Sequence, residues 1–168
     1  MRIATLIGTA GLLLSTSAWA QDVSYDYDKT VNFSALKTYA WAPDGNIQDE
    51  LTHKRIVAAV DAQLAAKGMR PVEAGATPDV IVTYRAGVRQ ELEVNGYTGY
   101  RLNRWSSARV EQVPVEALLV EMLDAKTGST IWRGTATRDV DVKASPEKRE
   151  KNINKAAEKL FKKYPPSK

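Results

Sequence analysis

The 168-residue chain contains no cysteine and carries 24 Lys and Arg against 20 Asp and Glu, for a formal charge of +4. Without a thiol it can form neither a disulfide framework nor a thiolate metal site, and no cysteine is present to carry an N-terminal lipid. The charge is mild and mixed in sign, which argues against the broad basic field of a nucleic-acid binder and for an ordinary solvated surface.

Met1 and Arg2 precede an apolar run from Ile3 to Leu14, and Ser15 to Ala20 then supplies small residues before Gln21 and Asp22. This is the order of a secretory signal: a charged start, an apolar middle and a narrow cut site. The expected cleavage falls after Ala20, with Ala18 and Ala20 admitting the peptidase and Gln21 becoming the new N-terminus. The apolar run is shorter than the roughly 20 residues of a membrane span, and charges interrupt every later apolar stretch, including Val113 to Leu123. Residues 1–20 therefore read as a signal peptide and 21–168 as one exported, periplasmic domain with no transmembrane span after cleavage. At about 150 residues such a domain can bury around 70% of its unfolded surface and needs no cross-link.

Val23, Tyr25 and Tyr27 alternate with polar residues, the period of a half-buried strand, and Thr38 to Trp41 is a second. The turn Ala42-Pro43-Asp44-Gly45 ends it, and the two strands are expected to form an opening pair. From about Asn46 to Lys67 the spacing of Ile56, Val57, Val60 and Leu64, with many alanines, predicts a helix that Gly68 stops. Met69 to Val72 is a short strand candidate, and Pro78-Asp79 leads into the clear alternation of Val80, Val82, Tyr84 and Ala86. That alternation weakens over Val88 to Val94, and the glycines of Asn95 to Tyr100 mark a long hairpin tip or mobile loop. Val110 to Leu123 and Ile131 to Arg138, joined by Asp124 to Gly128, give the strongest hairpin signal. Ser145-Pro146-Glu147 opens a second helix, whose apolar face is Ile153, Ala156, Ala157, Leu160, Phe161 and Tyr164. The predicted fold class is α+β, an antiparallel sheet with two amphipathic helices packed on one face.

Tyr25-Asp26, Phe33, the cluster Tyr39-Ala40-Trp41-Pro43, then Ile56, Leu64 and Gly68 follow in an order and spacing that continue through Pro78-Asp79, Val82 and Tyr84. They close with Leu123-Asp124, Lys126-Thr127-Gly128 and Trp132-Arg133-Gly134. In these residues the chain resembles domain-of-unknown-function family 4136, bacterial envelope proteins that are often lipoproteins. The resemblance implies a Gram-negative envelope location and no established activity. Lacking the lipid-bearing cysteine, this chain departs from the lipoprotein members, which favours free periplasmic residence.

Trp41 and Trp132 fall among strand residues, where indoles are expected to pack the core. His53 is the only histidine, so a histidine-rich metal site is excluded, and near the start of a helix it reads as an edge-of-core residue. Asp26 with Asp28 and Asp139 with Asp141 place carboxylates on common strand sides, but the glycine turn and bidentate glutamate of a calcium loop are missing. No catalytic constellation and no cofactor motif emerges, so the function expected is that of a non-enzymatic binding or envelope-maintenance protein. The candidate ligand-binding residues are Tyr97, Tyr100, Arg101, Arg104 and Trp105, with Asn103 and Arg109 beside them. Aromatic faces and guanidinium forks together suit a glycan, an anionic lipid head or a protein surface. Export removes nucleic acid from the partners considered. The alternatives are an envelope hydrolase using Asp26 or Asp79 with His53, and a structural subunit of an envelope assembly.

Overall fold

The computed structural model describes residues 22–43, 49–73, 75–95 and 109–166. In chain order they form β1 (Asp22–Tyr27), a short 3-10 turn (Phe33–Ala35), β2 (Thr38–Trp41), α1 (Glu50–Ala66), β3 (Arg70–Pro71), β4 (Val80–Asn95), β5 (Arg109–Asp124), β6 (Thr130–Asp139) and α2 (Pro146–Phe161). The six strands make one sheet in the order β1-β6-β5-β4-β2-β3. The α+β class holds, and the core joins both helices to the same face of the sheet.

Two details of the sequence reading are corrected. The sheet is mixed: β4, β5, β6 and β1 are antiparallel neighbours, whereas β2 runs parallel to both β4 and β3. A parallel neighbour needs a crossover of a dozen or more residues, and α1 supplies it between β2 and the strands beside it. Nor do β1 and β2 form an opening pair, because three strands stand between them. That separation is about 19 Å, which residues 28–37 can bridge, and on the way Val31, Phe33 and Leu36 pack against the core.

The helix boundaries follow local chemistry. Asp49 caps α1 by accepting the Thr52 N–H at 3.0 Å, and that bond holds its carboxyl below the usual range. Gly68, at φ +79, takes the left-handed conformation that ends the helix. Ser145 caps α2, and Pro146 occupies its first turn. The weak alternation after Val88 proves continuous with what precedes it: β4 and β5 stay in regular register from Val80↔Asp124 to Asn95↔Arg109.

The core lies between sheet and helices. Val80 and Val82 of β4, Val120 and Met122 of β5 and Trp132 of β6 meet Ile56, Val60 and Leu64 of α1 and Leu160 and Phe161 of α2. An aromatic cluster closes one end, where Phe33 stands edge-on to Tyr27 and Tyr164, and Trp132 contacts Phe161 and Tyr164. The Tyr164 hydroxyl donates to Met69 Sδ at 3.4 Å, and burial pushes the phenol up to about 12.

Asp79 fastens the start of β4. Its Oδ2 accepts from the Lys37 N–H, the Thr38 N–H and Thr38 Oγ1 at 2.8, 2.9 and 2.9 Å, and Thr38 Oγ1 accepts the Asp79 N–H at 3.0 Å. The two backbone donors are the main reason its pKa is depressed. A depressed folded-state value means stability that is present above the unfolded carboxylate range, near pH 4, and lost as pH falls through the folded value. Asp79→Asn is therefore expected to lower stability by about 1 kcal/mol at pH 7. The gap to the parent protein should shrink in urea titrations taken toward pH 3. A gap independent of pH would remove the charge on Asp79 from this account.

Candidate functional site

Both helices run from the same end of the domain, and beside their first turns the sheet opens into a cleft of about 920 Å³. Val82, Leu118 and Ala136 supply its sheet side, and Ile56, Ile153 and Ala156 its helix side. Two of the exposed large apolar side chains, Val88 (62%) and Val142 (78%), lie among its lining residues.

One wall is aromatic and braced at both ends. Trp41 stands edge-on to Tyr84 at 6.2 Å, and its Nε1–H donates to Asp61 Oδ1 at 2.9 Å. The Tyr84 hydroxyl is hydrogen-bonded to His53 Nδ1 at 2.9 Å. These contacts fix the orientation of the rings along the wall. Trp132 behaves as expected of a core indole at 1% exposure, whereas Trp41 is only half-buried because it borders the cleft.

The polar groups around the cleft are largely engaged with one another. Arg138 Nε donates to Glu116 Oε2 at 2.7 Å, and the same guanidinium bonds that oxygen through Nη2. Asp141 meets Lys148 at 2.6 Å, a bond that lowers its pKa, and Arg149 Nε donates to the Ala144 carbonyl at 3.1 Å. Asn152 Nδ2 is buried there with no hydrogen-bond partner among the described residues.

The carboxylates weighed for hydrolysis are not brought to His53. Asp26, on the outer strand β1, bonds Arg133 at 3.4 Å, and Asp79 is tied to Lys37 and Thr38. Asp79 lies five residues before Tyr84, about 16 Å along an extended strand. Of each suspected carboxylate pair only one member lies in a strand. Asp28 falls beyond β1 and accepts from Thr30, which lowers its pKa, and Asp141 falls beyond β6. No cluster of metal-binding side chains occurs among the described residues.

Tyr97, Tyr100, Arg101, Arg104 and Trp105, with Asn103, lie outside the described residues, as do Ala18, Ala20 and Gln21 of the cleavage site. Arg109 begins β5, opposite Asn95. Sequence reasoning passed over Asp61, Glu116 and Arg138. Asp61 had a legible signal, since it sits in the apolar row between Val57 and Leu64 at helical spacing.

The sequence signature of the domain of unknown function DUF4136 matches residues 23–166. The chain belongs to that family. The DUF4136 match runs from β1 through the end of α2 and includes every described residue of the cleft. No curated protein matches the sequence. Among solved structures, a PDZ domain protein from Parabacteroides distasonis is similar with a TM-score of 0.61 at 14% identity, over 88% of this chain and 37% of that one. The DUF4136 chain thus spans little more than a third of that protein, and the likeness is one of fold. A PelC dodecamer from Paraburkholderia phytofirmans aligns over 84% of this chain and 95% of that chain at 14% identity, with a TM-score of 0.49.

Proposed function

We propose that this DUF4136 protein is exported to the periplasm and acts there as a non-enzymatic binding or envelope-maintenance protein, with the cleft as its binding site. The observation that carries the reading is an open, apolar-floored cleft of about 920 Å³ whose polar side chains are bonded mainly to one another. Such a surface holds an apolar group by burial and leaves few groups poised for proton transfer. The charged, apolar and small-residue order of residues 1–20 supports export. Among the described residues no helix is long and apolar enough to cross a membrane.

The protein recovered from the cell envelope is expected to begin at Gln21 by N-terminal sequencing. It should take up the fluorescent apolar probe N-phenylnaphthylamine. Val88→Asp combined with Val142→Asp, both at exposed positions, should weaken that uptake by at least about tenfold with little change in Tm. Equal uptake by the double variant would take the cleft out of the account, and intact precursor dissolved in the cytoplasm would overturn export.

A further inference from the structure

The cleft borders not only a face of the sheet but also an edge. Every residue of β4 from Val82 to Val88 lines it, although successive side chains on a strand point to opposite faces. The lining therefore takes in the main chain of β4 as well as its cleft-facing side chains. Beside this stretch, β2 stops short. β2 pairs with β4 only over Tyr39↔Val80, Ala40↔Ile81 and Trp41↔Val82, and the Ala42 N–H then donates to the Val82 carbonyl at 2.8 Å. Pro43 has no N–H with which to continue. Beyond this point no described strand lies beside β4 on that edge.

Strand geometry fixes what the edge offers. The Val82 carbonyl faces β2, so the two-residue period aims the main-chain N–H and C=O of Ala86 and Val88 to the same side. Their side chains share the cleft face with Val82. The edge is lightly protected: between Val82 and Val88 it has no proline and one charged side chain, Arg85, and its regular register with β5 leaves no bulge. Val88 adds an exposed apolar side chain.

We infer that an extended segment of another polypeptide adds to β4 in the lane β2 vacates, its main chain bonding Ala86 and Val88 and its alternate side chains filling the cleft. This rests on the cleft being the binding site. The side chains that fit are apolar and uncharged, because the lining carboxylates Asp49, Glu116 and Asp141 are matched by Arg85, Arg138 and Arg149 and leave the walls little net charge to complement. A second copy of this chain pairing through the same edge is the competing occupant, which sedimentation separates. Main-chain bonds would supply affinity and the cleft the selectivity.

The test uses a fluorescein-labelled eight-residue peptide of alternating valine and threonine, with a solubilising lysine at each end, read by fluorescence polarisation against the protein purified from the envelope. Two further peptides carry N-methyl groups on every second residue, one in each phase. The parent peptide should bind, one methylated phase should lose at least about tenfold and the other should keep its affinity, since only one phase removes the N–H groups that face β4. Ala86→Pro, which removes an edge N–H but no described bond, should lose a similar factor. If that variant fails to fold, the two phases on the unaltered protein still decide. Equal binding by both methylated peptides, or uptake of N-phenylnaphthylamine without peptide binding, would overturn strand addition while leaving the cleft as a binding site. Failure of both probes would remove both readings. A dimer in sedimentation that Ala86→Pro abolishes would assign the edge to a second copy and overturn the inference.

Discussion

Trp132→Ala is expected to destabilise the domain by about 3–5 kcal/mol, the cost of emptying a fully packed aromatic site. The indole is 1% exposed, lies 5.2 Å from the Phe161 ring and 5.6 Å from that of Tyr164, and so joins β6 to α2. Gly134 makes the site stiff. A Cβ built there would stand 2.8 Å from Trp132 Cη2 and 2.9 Å from Leu160 Cδ2, so Gly134→Ala should itself cost about 1–3 kcal/mol by overpacking. Because the two changes relieve one another, the double variant should be more stable than the sum of the single losses predicts. Trp132→Phe should cost less than half of Trp132→Ala, for it keeps a ring and removes an Nε1–H that is buried with no partner among the described residues. Chemical denaturation of the four proteins checks all of this, and strict additivity would show that Gly134 and Trp132 are not packed as described.

Asp61→Ala is expected to cost about 2–4 kcal/mol, unusually much for a residue on a helix flank. Its Oδ1 accepts both the Tyr39 hydroxyl at 2.8 Å and the Trp41 indole N–H at 2.9 Å, so alanine would strand two donors, one on a side chain that is 2% exposed. Burial, reinforced by the Asp61 carboxylate, raises the Tyr39 phenol far above its ordinary value, so it remains a donor across the accessible pH range. Asp61→Asn keeps an acceptor oxygen and should recover about half the loss. The two variants should also differ at the cleft, since Trp41 loses its anchor only in the alanine protein. A red-shifted tryptophan emission in Asp61→Ala and not in Asp61→Asn would report it, and identical spectra and midpoints would show that Asp61 does not brace the wall.

The candidate site was less legible than the fold. His53 was placed correctly as an edge-of-core side chain because its distance from Ile56 along the helix settles its level, yet nothing in the sequence tied it to Tyr84, thirty-one residues away. Tyr84 announced itself only as one apolar beat of an alternating strand. Glu116 and Arg138 face each other because β5 and β6 pair them in register, and charged residues in long strands are too common to match without that register. Trp41 was expected in the core because indoles usually are. It does pack against the core, but only half-buried, and it also borders the cleft, since β2 ends there while β4 continues.

What the sequence determined by itself was local. The period of two marked the strands, Ser145-Pro146 and Gly68 marked where helices start and stop, and Asp124 to Gly128 marked the β5–β6 turn, where the Asp124 carboxylate accepts the Lys126 and Thr127 N–H groups. Each rests on forces acting within a few residues. Strand order, the parallel placement of β2 and the cleft it leaves were decided only by the tertiary structure. An alternating pattern says which side chains face inward, but the backbone ladder is chemically the same for every neighbour, so pairing is chosen by what the helices must cover and how far each connection reaches.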